Sequence, residues 1–399
     1  LLSRSIANWL LRRRQLSPFG ACVNRRGGAS AALLTDESAP ERHSLDRHVG
    51  LLYRPEEADW QAVTRHFCRP ELVRLFDTLG QRALMVRRPA LEIGERLAGH
   101  AGDGRPCLRF VLYGRRGSGK SLQMGHVAAA CRRRGWLLVT VHNAHLWMRH
   151  SRELHESAHR PGMFDTAGYG CIWLRHFYAM NQEILPGLRV TKELSWNAKE
   201  STPAGSSWKE VIDYALARPR YSCAAVQFLI DEIKLGSVPM PTLVCFEVAN
   251  CLWWHRSGIK NDAIRRTPLQ GEEPPWRADI TAKQLTLLDA FKQLLDSDWN
   301  NGAAVMSVSP QGALFDRLRE WMPRKLLGDE GFAYLDPFVP VYVEPYGPAE
   351  MSNMLNWYTE SGWLTSEAAA TDAGRAELAF LSDGNAGELL RIAGEWVTC

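Results

Sequence analysis

The chain has 399 residues, 45% of them hydrophobic and 23% charged, with a formal net charge of +4. That length allows one large or two ordinary domains with a real core, and the balance is that of a globular protein. No apolar run reaches the length of a membrane span, and nine cysteines without a Cys-x-x-Cys pair disfavour a disulfide framework or a zinc ribbon, so a reducing compartment is the simpler setting.

The first 34 residues hold six arginines (Arg4, Arg12, Arg13, Arg14, Arg25 and Arg26) and several serines, and no acid precedes Asp36. Ile6, Leu10 and Leu11 alternate with these arginines as in a basic amphipathic helix, which is the composition of a mitochondrial presequence. A basic RNA-binding arm is the other reading of the same residues. With that segment set aside, the rest of the chain carries a net charge of −2. A body so near neutrality does not coat nucleic acid over its whole surface, so RNA contact falls to local patches.

Residues 35–105 read as an N-terminal extension with amphipathic stretches at 60–76 and 84–97. Within the second, Arg87-Arg88-Pro89 suits a helix start, because proline is welcome in a first turn. Residues 108–113 (Leu-Arg-Phe-Val-Leu-Tyr) predict a buried strand that runs straight into Gly114-Arg-Arg-Gly-Ser-Gly-Lys-Ser121. This is G-x-x-x-x-G-K-[ST], the Walker A phosphate-binding loop. The spelling follows from the chemistry. Gly114, Gly117 and Gly119 allow a tight turn whose N–H groups face phosphate oxygens. Lys120 supplies a point charge, Ser121 a hydroxyl for Mg²⁺, and the following helix its positive dipole end. Met124, Val127, Ala128 and Cys131 recur at i, i+3, i+4 and i+7, as one face of that helix requires.

A second strand is predicted at 136–141. His142 and His145 follow at its carboxyl end, where ligands of open α/β sheets gather; a metal reading of the pair is disfavoured because no carboxylate or cysteine is near in sequence. Residues 148–241 predict a helical insertion with core stripes Trp173, Phe177, Met180, Ile184 and Val226, Leu229, Ile230, Ile233. Residues 242–247 (Thr-Leu-Val-Cys-Phe-Glu) match a Walker B strand whose acid, Glu247, holds Mg²⁺ directly or through water. Phe246 and Val248 stand where a second, water-activating acid would be, which points to slow hydrolysis or none. Residues 255–279 form a long polar loop. A helix follows through Leu285, Leu288, Phe291 and Leu295, then a core strand at 303–309. Ser307 and Ser309 at its end either sense a γ-phosphate or merely cap the turn. A last strand at 338–343 belongs at an edge because of Pro340. Helices at 350–357 and 377–396, broken at 383–387, complete the chain. The predicted fold is therefore α/β of the P-loop NTPase class. It has a mostly parallel sheet flanked by helices, a helical insertion and a small C-terminal helical lid, divided as 1–34, 35–105, 106–345 and 346–399.

Several stretches together resemble the death-associated protein three family, the GTP-binding protein of the mitochondrial small ribosomal subunit. They are ALMVRRPALE (83–92), LYGRRGSGKS (112–121), AHLW (144–147), LVCFEVANCLW (243–253), NNGAAVMSVSPQGALF (300–315) and LLGDEGFAYLDPF (326–338). The resemblance runs from about residue 48 to the end. It implies a P-loop domain in the head of the mitochondrial small subunit, in the matrix, touching ribosomal RNA, neighbouring proteins and, at the subunit interface, the large subunit. It implies GTP or GDP with Mg²⁺ as the ligand. Position by position, the nucleotide falls to Gly114, Arg115, Arg116, Gly117, Ser118, Gly119, Lys120, Ser121 and Leu122, the metal to Ser121 and Glu247, and the walls of the base site to residues 85–88, Arg88 among them, and to the Gly384-Asn385 turn. Glu247 stands where the family usually has Asp, Val248 where Gly is common, and Asn143 where an acid is expected. Guanine selectivity is not written in the residues, since the Asn-Lys-x-Asp signature of small GTPases is absent. The alternatives are a free matrix ATPase of the lidded P-loop group acting as a switch and, less favoured for its long insertion, a P-loop kinase.

Overall fold

The computed structural model describes residues 32–99, 106–151, 153–254, 259, 280–312 and 320–395, all within one compact unit. The chain first lays down a two-stranded ribbon, Leu52–Tyr53 against Leu84–Met85. Helix α1 (Pro70–Leu79) lies between its strands in sequence, and α2 (Arg88–Ala98) follows them. The main sheet has five strands: β1 (Leu108–Tyr113), β2 (Leu137–Val141), β3 (Thr242–Phe246), β4 (Gly302–Ser307) and β5 (Val339–Tyr342). All pair in parallel, in the order β5-β1-β4-β3-β2.

Such a sheet must be covered on both faces, and its strands are accordingly apolar almost throughout. On one face, Phe110 and Leu112 of β1 pack against Met124, Val127 and Ala128 of α3 (Lys120–Arg133) and Ile93 of α2. On the other, Val111, Val139 and Phe246 meet the insertion, helices α4 (Ala167–Asn181), α5 (Trp208–Ala217) and α6 (Ser222–Lys234), together with α7 (Thr286–Gln293). The alternation of Phe110, Val111 and Leu112 between the two cores is the period of two that a strand imposes.

The predicted helical insertion is present and both of its stripes are buried, except for Ile184, which is partly buried. It also contains two hairpins, His155–Glu156 with Phe164–Asp165 and Leu194–Asn197 with Glu200–Thr202. Strands of two to four residues carry too little periodicity to be predicted. Pro340 lies in edge strand β5, as its missing donor requires. After β5 come α8 (Pro348–Glu360), α9 (Asp372–Ser382) and α10 (Ala386–Glu395). The break between the last two is made by left-handed Asp383 and Gly384. The N-terminal extension and these last helices, separate segments in the sequence, share a core: Tyr53, Trp60, Phe76 and Val86 pack with Met351, Trp357, Tyr358 and Leu389. The presequence-like segment, apart from 32–34, and the loop at 255–279, apart from 259, lie outside the described residues. Among the described residues no helix is long and apolar enough to cross a membrane.

The register places the site. Leu112 pairs with Ser307, and Phe246 pairs with both Met306 and Val141. The carboxyl ends of the strands therefore finish level, and Gly114, Ser309, Glu247 and His142 follow them onto one rim.

Candidate nucleotide-binding site

The loop at 114–121 takes the form that its glycines permit. Gly114, Gly117 and Gly119 have φ of 143°, 90° and 98°, a region closed to most side chains. A Cβ at Gly114 would stand 2.7 Å from the Val343 carbonyl, and one at Gly117 would run into Asn385 Oδ1. The N–H groups of Lys120, Ser121 and Leu122 open α3 and have no acceptor among the described residues, as first-turn donors without a cap do not. Ser118 Oγ is buried without a partner. Lys120 is 8% exposed, and its Nζ donates to the Gly114 and Arg115 carbonyls at 2.8 and 3.0 Å. Burial, then the charge of Arg69, lowers its pKa to about 8. A cradle of unused donors, an orphaned hydroxyl and an ammonium short of counter-charge together suit a polyphosphate anion.

The carboxylate of the rim is Glu247, 7% exposed and fixed by its own N–H, which donates to the Val141 carbonyl at 2.9 Å. His142 Nδ1 lies 3.1 Å from Glu247 Oε2. This is the carboxylate neighbour that local sequence did not offer His142; it comes from 105 residues away. His145 is buried with Nδ1 unpartnered, and the described residues contain no group of three His, Cys, Asp or Glu side chains that could hold a metal ion. Mg²⁺ asks for less, because it keeps most of its waters and takes one or two protein oxygens. The Ser121 hydroxyl and the Glu247 carboxylate are oxygens of the right kind. Val248 occupies the left-handed region, φ 60°, which explains why a glycine suits that position better. Its N–H donates to Ser307 Oγ at 3.1 Å, and the Asn250 side chain spans the N–H and carbonyl of Ser309 at 3.0 Å each. Ser307 and Ser309 thus tie the turn after β3 to the end of β4.

Two segments far apart in sequence grip the loop from outside. Arg87, 5% exposed, donates to the Ser118 carbonyl at 3.2 Å, to the Glu344 and Pro345 carbonyls at 3.0 and 3.3 Å, and to both carboxylate oxygens of Glu350 at 2.9 and 3.1 Å. Asn385, at the entry to α10, donates to the Arg116 carbonyl at 2.9 Å, and Gly387 N–H donates to the Gly117 carbonyl at 2.9 Å. Arg115 pairs with Asp383. Asn385 thus reaches the loop from the turn that the resemblance singled out. Of the two adjacent arginines, the inward one is Arg87. Arg88 has its side chain 68% exposed and 3.8 Å from Glu92, and it makes no bond to the loop. The strand Leu84–Met85 ends in extended backbone at Arg87, so successive side chains face opposite ways and only one arginine turns inward.

A parallel α/β sheet whose first strand ends in a Walker A loop, with a lone carboxylate two strands away, defines a protein of the P-loop class. The model of the family described as mitochondrial ribosomal death-associated protein 3 matches residues 84–392, and the chain belongs to that family. The small ribosomal subunit protein mS29 of Bos taurus is 34% identical over 360 residues, 90% of this chain and 87% of that protein. The mS29 of Mus musculus is also 34% identical over 360 residues, 90% and 88% of the two chains. A solved structure of the ORC2 protein of Aeropyrum pernix (ADPNP–ADP complexes) covers 83% of this chain and 71% of that one at 12% identity, with a TM-score of 0.29. Family membership bears out the resemblance and, with it, the mitochondrial ribosomal location.

Proposed function

We propose that this protein is a structural component of the mitochondrial small ribosomal subunit, in its head, that binds GTP or GDP with Mg²⁺ at residues 114–122 and hydrolyses it slowly or not at all. In this role it supports mitochondrial translation. The observation that carries the nucleotide half is the loop itself: among the described residues, the N–H groups at 120–122 have no acceptor and the buried Lys120 has no acceptors but carbonyls of its own loop. When phosphate is present, Lys120 turns to it from those carbonyls, and the helix N-terminus and the Ser118 and Ser121 hydroxyls add donors. Ser121 and Glu247 would hold Mg²⁺, which would supply charge neutralisation for the phosphates.

The ribosomal half is supported by the relatives, which are small ribosomal subunit proteins by name. Its partners are the small-subunit ribosomal RNA, neighbouring ribosomal proteins and, at the subunit interface, the large subunit. GTP rather than ATP rests on the family resemblance. Slow turnover is supported by the rim, where the one carboxylate is engaged by His142 and no second acid flanks it. A switch ATPase free in the matrix would need the missing water activator.

The nucleotide acts here as a brace. A ligand bound only to the folded state contributes RT ln(1 + [L]/Kd), about 4 kcal/mol at a thousandfold excess over Kd. In Lys120→Ala, GTP titration is expected to show at least a hundredfold weaker binding, roughly the 3 kcal/mol of a lost charge-assisted phosphate contact. The gain in melting temperature that GTP gives the wild type is expected to vanish with it. Unchanged affinity in that variant would remove the loop from the site.

A further inference from the structure

Arg69 belongs to no feature described so far. It is the residue before α1, brought to the rim by the short turn Thr64–Phe67 that leads into it. Phe67 pins that turn in two places. Its Cβ lies 2.9 Å from where a Cβ on Gly125 of α3 would be, so the missing side chain of Gly125 is the seat for the ring. The ring meets His142 edge-on, with centroids 4.5 Å apart. Two residues further on, the Arg69 guanidinium stands among the charges of the site. Its charge is opposed by Arg116 of the loop and favoured by Glu71 of α1, Glu388 of α10 and Glu247 of the rim, and it is felt by Lys120. Its neighbours are tied down, Arg65 to Gln61 and Arg74 to Glu71. Arg69 has no hydrogen-bond or ion-pair partner among the described residues.

Arg69 and Lys120 set two positive charges near one another with no carboxylate among the described residues hydrogen-bonded to either, an arrangement that suits an anion between them. We propose that Arg69 reads the terminal phosphate of the nucleotide, opposite Lys120, and so sets a preference for triphosphate over diphosphate. This rests on the reading of the loop as a nucleotide site. The loop backbone and Lys120 serve phosphates that both nucleotides have. Arg69 comes from the N-terminal extension across the mouth of the site and meets only the phosphate that projects beyond them. Its exposed, planar fork matches two phosphate oxygens at once.

The experiment is titration of the full chain with Mg·GTP and with Mg·GDP, for wild type, Arg69→Ala, Arg69→Lys and Lys120→Ala. Arg69→Ala is expected to lose on the order of tenfold or more in GTP affinity, the weight of one charge-assisted contact, and under about threefold in GDP affinity. Arg69→Lys regains part of the loss. Because Arg69 holds no partner in the fold, the melting temperature of nucleotide-free Arg69→Ala stays at the wild-type value. If Arg69→Ala binds both nucleotides as wild type does, or loses both equally, while Lys120→Ala loses both, the assignment of Arg69 is wrong and the site stands. If Lys120→Ala loses neither, the site and the assignment fall together.

Discussion

Lys120 is buried against two carbonyls of its own loop, and both burial and Arg69 oppose its charge, which is why its pKa falls to about 8. Two consequences of opposite sign follow. In the free protein the unfolded chain, with its ordinary lysine near 10.5, holds the proton more tightly, so this group's contribution to stability rises with pH between about 8 and 10.5. Bound phosphate reverses the balance, because an oxyanion restores the ammonium and raises its pKa. Nucleotide affinity is then flat below pH 8 and weakens above it, by up to about tenfold per pH unit, with uptake of a proton on binding. Calorimetric titration with GTP at pH 7, 8 and 9 in buffers of different ionisation enthalpy measures both quantities, and a flat affinity across that range would contradict the assignment. This residue was legible in the sequence because Walker A chemistry is contiguous: eight neighbours carry it, and the glycines announce the backbone they need. Glu247 was legible for a similar reason, as the acid at the end of an apolar strand. Its partner His142 was not, because only the adjacency of β2 and β3 brings the two together.

At the scale of elements, the loop is held as much by its surroundings as by itself. Arg87 joins the N-terminal ribbon, the Ser118 carbonyl, the chain after β5 and Glu350 of α8 in one buried knot. Arg87→Ala leaves the partly buried Glu350 without its counter-charge, and a loss of about 3 kcal/mol is expected. In Arg87→Ala/Glu350→Gln, part of that loss returns, because the carboxylate left alone is gone. Arg88→Ala, on an exposed side chain, is expected to change stability by no more than about 0.5 kcal/mol. Denaturant midpoints of the four proteins separate these outcomes, and equal effects at Arg87 and Arg88 would contradict the knot. Sequence could not choose between two adjacent arginines, since the choice lies in where the extended backbone ends and α2 begins. Nor could it foresee Asn385 reaching Arg116, 269 residues away. The strands, the P-loop helix and the stripes of the insertion were legible from period and length. The two hairpins in the insertion were too short to declare themselves.

At the scale of the whole molecule, the extension, the sheet and the last three helices do not behave as independent pieces. The extension and the C-terminal helices share a core, and both close on the loop, from Arg87 on one side and from Asp383, Asn385 and Gly387 on the other. In the proposed role, a ligand in the loop would brace three parts of the chain at once, a use of nucleotide that needs occupancy and not turnover. Without its first 34 residues the body is nearly neutral, which suits a protein seated among others with RNA contact in patches. The most direct measurement is to fractionate mitochondrial lysate on a salt-containing gradient, recover this protein, release what it carries and identify it. The protein is expected to travel with the small ribosomal subunit and to yield close to one guanine nucleotide per chain. Protein found free of that particle, or on it with no nucleotide or with adenine nucleotide, would overturn the role of a guanine-nucleotide-braced ribosomal component.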